Sequence, residues 1–229
     1  PAFLKNLVIA GDRSGIHVAP HARLVLLPGA SAYVGADIVA GLAAIDYRSY
    51  PRCTLFIDIG TNGEIVLIEG PDRLLGTSRA MGPALEGMNI ACGCRAVPGA
   101  IDSVALDRDM LPRFTTIGGL PGTGICGSGL VDLVACLLES GVITPKGAFN
   151  SQATKGLLAP IDRHRYYLTD KVFLSQKDIR QLQLAKSAMA SGIATLLSLA
   201  GRSVGELQHV VIGGSFGYHL ASAMATAGM

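Results

Sequence analysis

The segment T-L-F-I-D-I-G-T-N-G-E-I-V-L-I-E-G, residues 54–70, constrains the fold more than any other stretch. Two β-rich apolar runs, 54–60 and 64–70, flank Thr61-Asn62-Gly63, and an Asn-Gly pair between such runs is a strong hairpin signal. Strands this apolar are buried, so helices must cover them, and that points to α/β layering. Glycine, 29 residues of the chain, clusters at the junctions between apolar runs, as it does at the strand-to-helix turns of α/β proteins.

The rest of the chain fits the same plan. A strand is expected at 22–27, ended by Pro28-Gly29, and a helix at 34–45, where Val34, Ile38, Val39, Leu42 and Ile45 recur at helical spacing. A third strand is expected at 73–79 and a helix at 128–140, opened by G-S-G and closed by Gly141. The clearest helix is 176–200: Ser175 and Asp178 form a capping-box pattern, and Gly201 stands at the C′ position. Residues 209–217, H-V-V-I-G-G-S-F-G, read as strand, glycine turn and helix start. The block 81–102 reads as loop or short helix, and 144–171 as irregular or short-stranded. The chain shows no internal repeat.

Composition excludes several function classes. Hydrophobic residues make up 49% and charged residues 16%, and the mean hydropathy is +0.42. The longest uncharged helical stretch, Ser187 to Gly201, is shorter than the roughly 20 apolar residues that span a bilayer, which predicts a buried core helix and no membrane. The net charge is +2 with Lys and Arg scattered, unlike a nucleic-acid footprint. Five cysteines, an odd number, do not make a disulfide framework, and the start lacks a signal sequence, so a cytoplasmic setting is expected. The chain opens at Pro1 without Met and stops at Met229 after an Ala-rich stretch, which predicts a piece of a longer protein.

Three glycine-rich turns carry the chemistry. In D-I-G-T-N-G-E (58–64), a strand-end Asp is followed by small residues whose backbone N–H groups can face an anion. Asp58 is suited to a hydrated Mg²⁺, Thr61 offers a hydroxyl, and Asn62 and Gly63 tolerate positive φ. An ordinary hairpin explains this spacing equally well, and the cost of a carboxylate inside L-F-I-D-I favours the ligand. In V-V-I-G-G-S-F-G (210–217), a strand ending in glycines allows close approach to the backbone. It is neither a Rossmann fingerprint nor a P-loop. G-T-G-I-C-G-S-G-L-V-D (122–132) is another glycine loop feeding a helix. Within 81–102, Glu86 and Asn89 stand out as polar groups that contact ligand or cap backbone. Cys92 and Cys94 form a C-x-C with no second ligand pair, so small core cysteines are expected, as for Cys53, Cys126 and Cys136. The five histidines lack ligand spacing.

With these residues quoted, the chain resembles the reductive activators of corrinoid proteins, within the superfamily of actin, sugar kinases and heat-shock chaperone ATPases. The resemblance runs through Y-V-G-A-D (33–37), D-I-G-T-N-G-E-I (58–65), G-P-A-L-E-G-M-N-I (82–90), C-R-A-V-P-G-A-I (94–101), G-I-C-G-S-G-L-V-D (124–132), L-Q-L-A-K (182–186) and G-G-S-F-G (213–217). Met81 departs from the pattern, which implies a small residue there. The resemblance implies a ribonuclease H-like, actin-like ATPase lobe, a mixed sheet with helices on both faces. Residues 1–50 would end the preceding lobe and carry the connecting strand and helix, and 51–229 would form the second nucleotide-binding lobe.

Carried onto this sequence, the family's roles place Asp58, Gly60, Thr61, Asn62 and Gly63 at the phosphates, with Mg²⁺ held by Asp58 through water. Gly213, Gly214, Ser215, Phe216 and Gly217 would line the adenosine, with Lys186, Glu86, Gly127 and Ser128 as further contacts. ATP and Mg²⁺ are the implied cofactors. An iron–sulfur cluster would belong to an amino-terminal domain, because no C-x₄-C-x₂-C occurs here. The implied partner is a corrinoid protein, whose cobalt(II) is returned to cobalt(I), and a homodimer is left open. A small-molecule kinase and a nucleotide-gated interaction module are the competing classes.

Overall fold

The computed structural model describes residues 6–29, 31, 34–152, 161–162 and 164–220. The chain divides into two compact units, and three of its five crossings fall inside the glycine motifs 58–64 and 213–217. The first unit comprises Pro1–Asp58, Glu64–Arg79 and Gly192–Gly213; the second comprises Ile59–Gly63, Ala80–Ser191 and Gly214–Met229.

The first unit begins with an antiparallel pair, β1 (Leu7–Ala10) and β2 (Arg23–Leu26). Helix α1 (Ala36–Ala44) follows, nested inside the expected 34–45. Strands β3 (Thr54–Ile59), β4 (Asn62–Ile68), β5 (Leu74–Ala80) and β12 (His209–Gly213) form one four-stranded sheet in the order β12-β3-β4-β5. Side chains alternate across a sheet, so neighbouring positions serve opposite faces. Phe56, Val66 and Ile68 pack with Val34, Ile38 and Leu42 of the α1 segment. Ile65 points the other way, towards α3 (Gln176–Ala200), where a Cβ on Gly192 would come within 2.7 Å of its Cδ1. The sheet therefore has a helix on each face, the layering expected of its apolar strands. Glu69, buried at the end of β4, is held by Arg202 with an N–O separation of 3.1 Å.

The second unit is built on β6 (Ala100–Leu106), paired antiparallel to β7 (Pro112–Thr116) and parallel to β8 (Gly124–Ile125). Helix α2 (Gly127–Glu139) lies on β6, and its Leu130, Leu133 and Leu137 join Ile101 and Val104 in one core. Tyr166 completes that core from a small sheet of β9 (Ile161–Asp162), β10 (Arg165–Tyr167) and β11 (Phe173–Ser175). Helix α4 (Gly214–His219) closes the described chain.

Three expectations change. The hairpin turn is Gly60-Thr61, not Thr61-Asn62-Gly63, because Asn62 and Gly63 already belong to β4. Gly60, Asn62 and Gly63 all lack positive φ. Gly63 is needed for space, since a Cβ there would collide with Sδ of the buried Met81. The second correction concerns 81–102, where the last residues already form β6 and only Pro83–Glu86 is helical, as a short 3₁₀ turn. The third is α3, which is not a buried core helix. It is long and apolar enough, by length and composition, to cross a membrane. Its buried residues Ile179, Ala185, Met189, Leu196 and Leu197 nevertheless fall along one stripe, while Leu184 and Leu199 are 62% and 68% exposed. That is amphipathic packing rather than enclosure.

Candidate functional site

In the first unit, β3 and β12 run parallel, and their register sets Asp58 opposite Gly213. Both strands end there or within one residue, so both motifs lie at carboxyl ends of parallel strands, the edge where open α/β sheets take ligands. Asp58 is half-buried, in a strand otherwise buried throughout. A half-exposed carboxylate keeps part of its hydration, so burial by itself does not demand a cation at Asp58. Gly213 sits where a Cβ would come 3.0 Å from the Phe56 ring, so glycine keeps that strand end thin.

The second unit holds the remaining candidates. Gly60, Thr61 and Asn62 are exposed at the turn, and the turn is held from two sides. The Met81 N–H donates to the Thr61 carbonyl at 3.1 Å, and the Thr61 hydroxyl donates to Glu86 Oε1. Glu86 ends the 3₁₀ turn Pro83–Glu86, which is flanked by Gly82 at φ 76° and Gly87 at φ 81°. Both are left-handed conformations that favour glycine. Ala84, buried in the core, anchors the turn from below.

The same turn meets α2. A Cβ on Gly127 would strike the Leu85 carbonyl and approach Phe216 Cε2 to 2.6 Å, so this glycine admits both neighbours. The Gly60-Thr61 turn, the Pro83–Glu86 turn, the start of α2 and Phe216 are therefore one contiguous set, assembled from four separate sequence segments. Ser128 is only half-buried, and its hydroxyl donates to the Asp102 carbonyl at 2.8 Å. Gly214, at φ 79°, opens α4, which also carries Ser215 and Gly217. Lys186 is exposed on α3, and among the described residues no hydrogen bond or ion pair joins it to the other candidates. Asn89 adopts φ 61°, a left-handed role that asparagine tolerates.

Sequence reading missed two supports. Met81, marked only as a departure, fills the space that Gly63 vacates. Asp178, read only as half of a capping box, also accepts the Ala91 N–H at 2.8 Å, tying α3 to the loop after Glu86. No local pattern signals that second bond, since its partners are 87 residues apart.

The cysteines behave as packing residues. Cys92 Sγ donates to the Lys171 carbonyl at 3.7 Å, and a Cβ on Gly124 would meet Cys94 Sγ at 2.8 Å. Burial, reinforced by nearby Cys126, raises the Cys94 thiol above its ordinary pKa, and burial likewise raises Cys136. A raised thiol disfavours the thiolate that binds metal. Elemental analysis of the purified protein is accordingly expected to find no zinc or iron that disappears in a Cys92→Ser/Cys94→Ser variant.

Residues 52–229 match the model of the C-terminal domain of RACo, the ASKHA domain, and residues 1–49 match the RACo middle region. The chain belongs to the RACo family. Its fold is accordingly that of an actin-like ATPase domain. A solved structure, a reductive activator for corrinoid, iron–sulfur protein, superposes with a TM-score of 0.82 at 33% identity, over 98% of this chain and 37% of its own. The corrinoid activation enzyme RamQ of Eubacterium limosum is 30% identical over 235 residues, 95% of this chain and 39% of RamQ. The Co(II) methylated amine-specific corrinoid protein reductase of Methanosarcina barkeri is 26% identical over 234 residues, 92% of this chain and 41% of the reductase. The chain thus spans about two fifths of the length of these RACo-like proteins.

Proposed function

We propose that this chain is the ATP-binding lobe of an ATP-dependent reductive activator, which returns a corrinoid methyl-transfer protein from cobalt(II) to cobalt(I). The observation that carries the reading is the pairing of Asp58 with Gly213 at the carboxyl ends of β3 and β12, inside a domain of the RACo family. The residues suit a phosphate with its metal. A half-buried carboxylate stands at a strand end, an exposed turn follows it, and Gly213 removes the bulk that would keep a ligand off the backbone.

In this reading Mg²⁺ would neutralise phosphate charge, with Asp58 holding its water shell. Gly60, Thr61, Asn62 and Gly63 orient the phosphates, Gly213 to Gly217 border the nucleoside, and Glu86, Gly127, Ser128 and Lys186 are further ligand contacts in this reading. Residues 51–229 serve as the second nucleotide lobe, and 1–50 end the preceding one. A cytoplasmic location and an iron–sulfur domain outside this chain belong to the same proposal. Nucleotide binding drives the uphill reduction by favouring one arrangement of the lobes, which requires different affinities for the two states.

The test is spectroscopic. The intact protein, given ATP, a low-potential reductant and a cobalt(II) corrinoid protein under anaerobic conditions, is expected to produce the cobalt(I) band. Phosphorylation of a small molecule with indifference to every corrinoid protein would replace this reading by a kinase. ATP-dependent partner binding without turnover would leave a nucleotide-gated interaction module. A further result concerns the 229-residue chain alone. Catalysis in this superfamily depends on positioning from two sides, so calorimetry is expected to show ATP binding weaker than about micromolar and negligible hydrolysis.

A further inference from the structure

We propose that Glu86 is a positioning residue that sets the hydrogen-bonding polarity of the Thr61 hydroxyl, so that Thr61 Oγ1 offers lone pairs to a metal-bound water while the backbone N–H groups of the turn are left to the phosphate. The proposal rests on the nucleotide-binding reading above and deepens it at one atom. A threonine hydroxyl has one proton and two lone pairs, while an ionised carboxylate can only accept. Because the Thr61 hydroxyl donates to Glu86 Oε1, its proton is already committed. What remains exposed at the Thr61 hydroxyl is acceptor capacity alone. A phosphate oxygen also only accepts, so Thr61 Oγ1 has nothing to give it. Waters around Mg²⁺ are donors that keep their places and need acceptors nearby.

The surroundings make this polarity a fixed property of the turn. The Met81 N–H donates to the Thr61 carbonyl at 3.1 Å, which restrains the residue's backbone. Glu86 is equally restrained. Within its turn the Gly87 N–H donates to the Ala84 carbonyl at 3.0 Å and the Met88 N–H donates to the Pro83 carbonyl at 3.1 Å. Ala84 is buried beneath it, and the Leu85 carbonyl abuts Gly127. Two turns, 25 residues apart in sequence, are joined by this side-chain bond.

The experiment measures ATP affinity of the intact protein with a fluorescent ATP analogue, in excess Mg²⁺ and in EDTA, and reads the ratio of the two Kd values. Glu86→Ala and Thr61→Val are each expected to lower the Mg²⁺ enhancement about tenfold, the scale of one hydrogen bond to a charged group. The double variant is expected to fall no further than either single one, because the two residues act as one unit. Thr61→Ser and Glu86→Gln are expected to keep the enhancement, since each retains the donor or acceptor. If Glu86→Ala unfolds, Glu86→Met, similar in length but unable to accept the proton, supplies the same comparison. An unchanged ratio in Glu86→Ala and Glu86→Met, or losses that multiply in the double variant, overturns the proposal while leaving nucleotide binding in place. A wild-type protein that binds no ATP in either condition removes both readings together.

Discussion

Asp58→Ala in the intact protein is expected to abolish ATP-dependent formation of cobalt(I) corrinoid, lowering the rate by at least about a hundredfold, the usual effect of removing a preorganised group at a charged transition state. The fold is expected to survive. Asp58 is half-buried, and its pairing with Gly213 is made by backbone groups that alanine retains. Asp58→Asn preserves the shape and removes the charge, so an equal loss in that variant assigns the effect to the carboxylate's charge. Circular dichroism separates the functional loss from unfolding. Full ATP-dependent activity in Asp58→Ala would contradict the phosphate role of the turn.

Asp178→Ala is expected to lower stability by about 3 kcal/mol, because it orphans two part-buried backbone donors at once. Asp178 is 1% exposed. Its carboxylate accepts the Ser175 N–H at 2.7 Å and the Ala91 N–H at 2.8 Å, while its own N–H is capped by Ser175 Oγ at 3.3 Å. Loss of the Ser175 bond frays the start of α3, and loss of the Ala91 bond frees the loop after Glu86. At this chain length, 3 kcal/mol corresponds to a fall in Tm of about 9 °C. Asp132 is the internal comparison: its carboxylate accepts the Val104 N–H at a longer 3.3 Å, so Asp132→Ala is expected to cost about half as much. A shift below about 2 °C in Asp178→Ala would show that water or a rearranged loop satisfies both donors.

Much of the architecture was legible because local chemistry and final structure agree. The capping box at Ser175 and Asp178 and the Gly201 C′ position mark both ends of α3, and the helix occupies Gln176–Ala200 as expected. Helical spacing located α1, and G-S-G marked the start of α2. The ordered motif set carried the family, which the match over 52–229 bears out. Strands β6 to β8 were not legible. Ala100–Leu106 alternates weakly and follows a glycine-rich stretch without period, so its pairing with Pro112–Thr116 and Gly124–Ile125 and the cover of α2 make it a strand.

Asn62-Gly63 shows where a local rule loses to packing. By itself the dipeptide favours a tight turn with positive φ. Here Met81 occupies the space beside Gly63, and its N–H binds the Thr61 carbonyl, so the ladder extends to Asn62 and the turn moves back to Gly60-Thr61. Residue order alone determined the layering, the long helix, the glycine motifs and the family, because each depends on near neighbours or on a fixed sequence of short patterns. The tertiary structure decided which strand end faces which, that Glu86 takes the Thr61 proton, and that Phe216 and the Leu85 carbonyl share the space at Gly127. Those contacts join residues far apart in the chain, and only the packed core brings them within reach of one another.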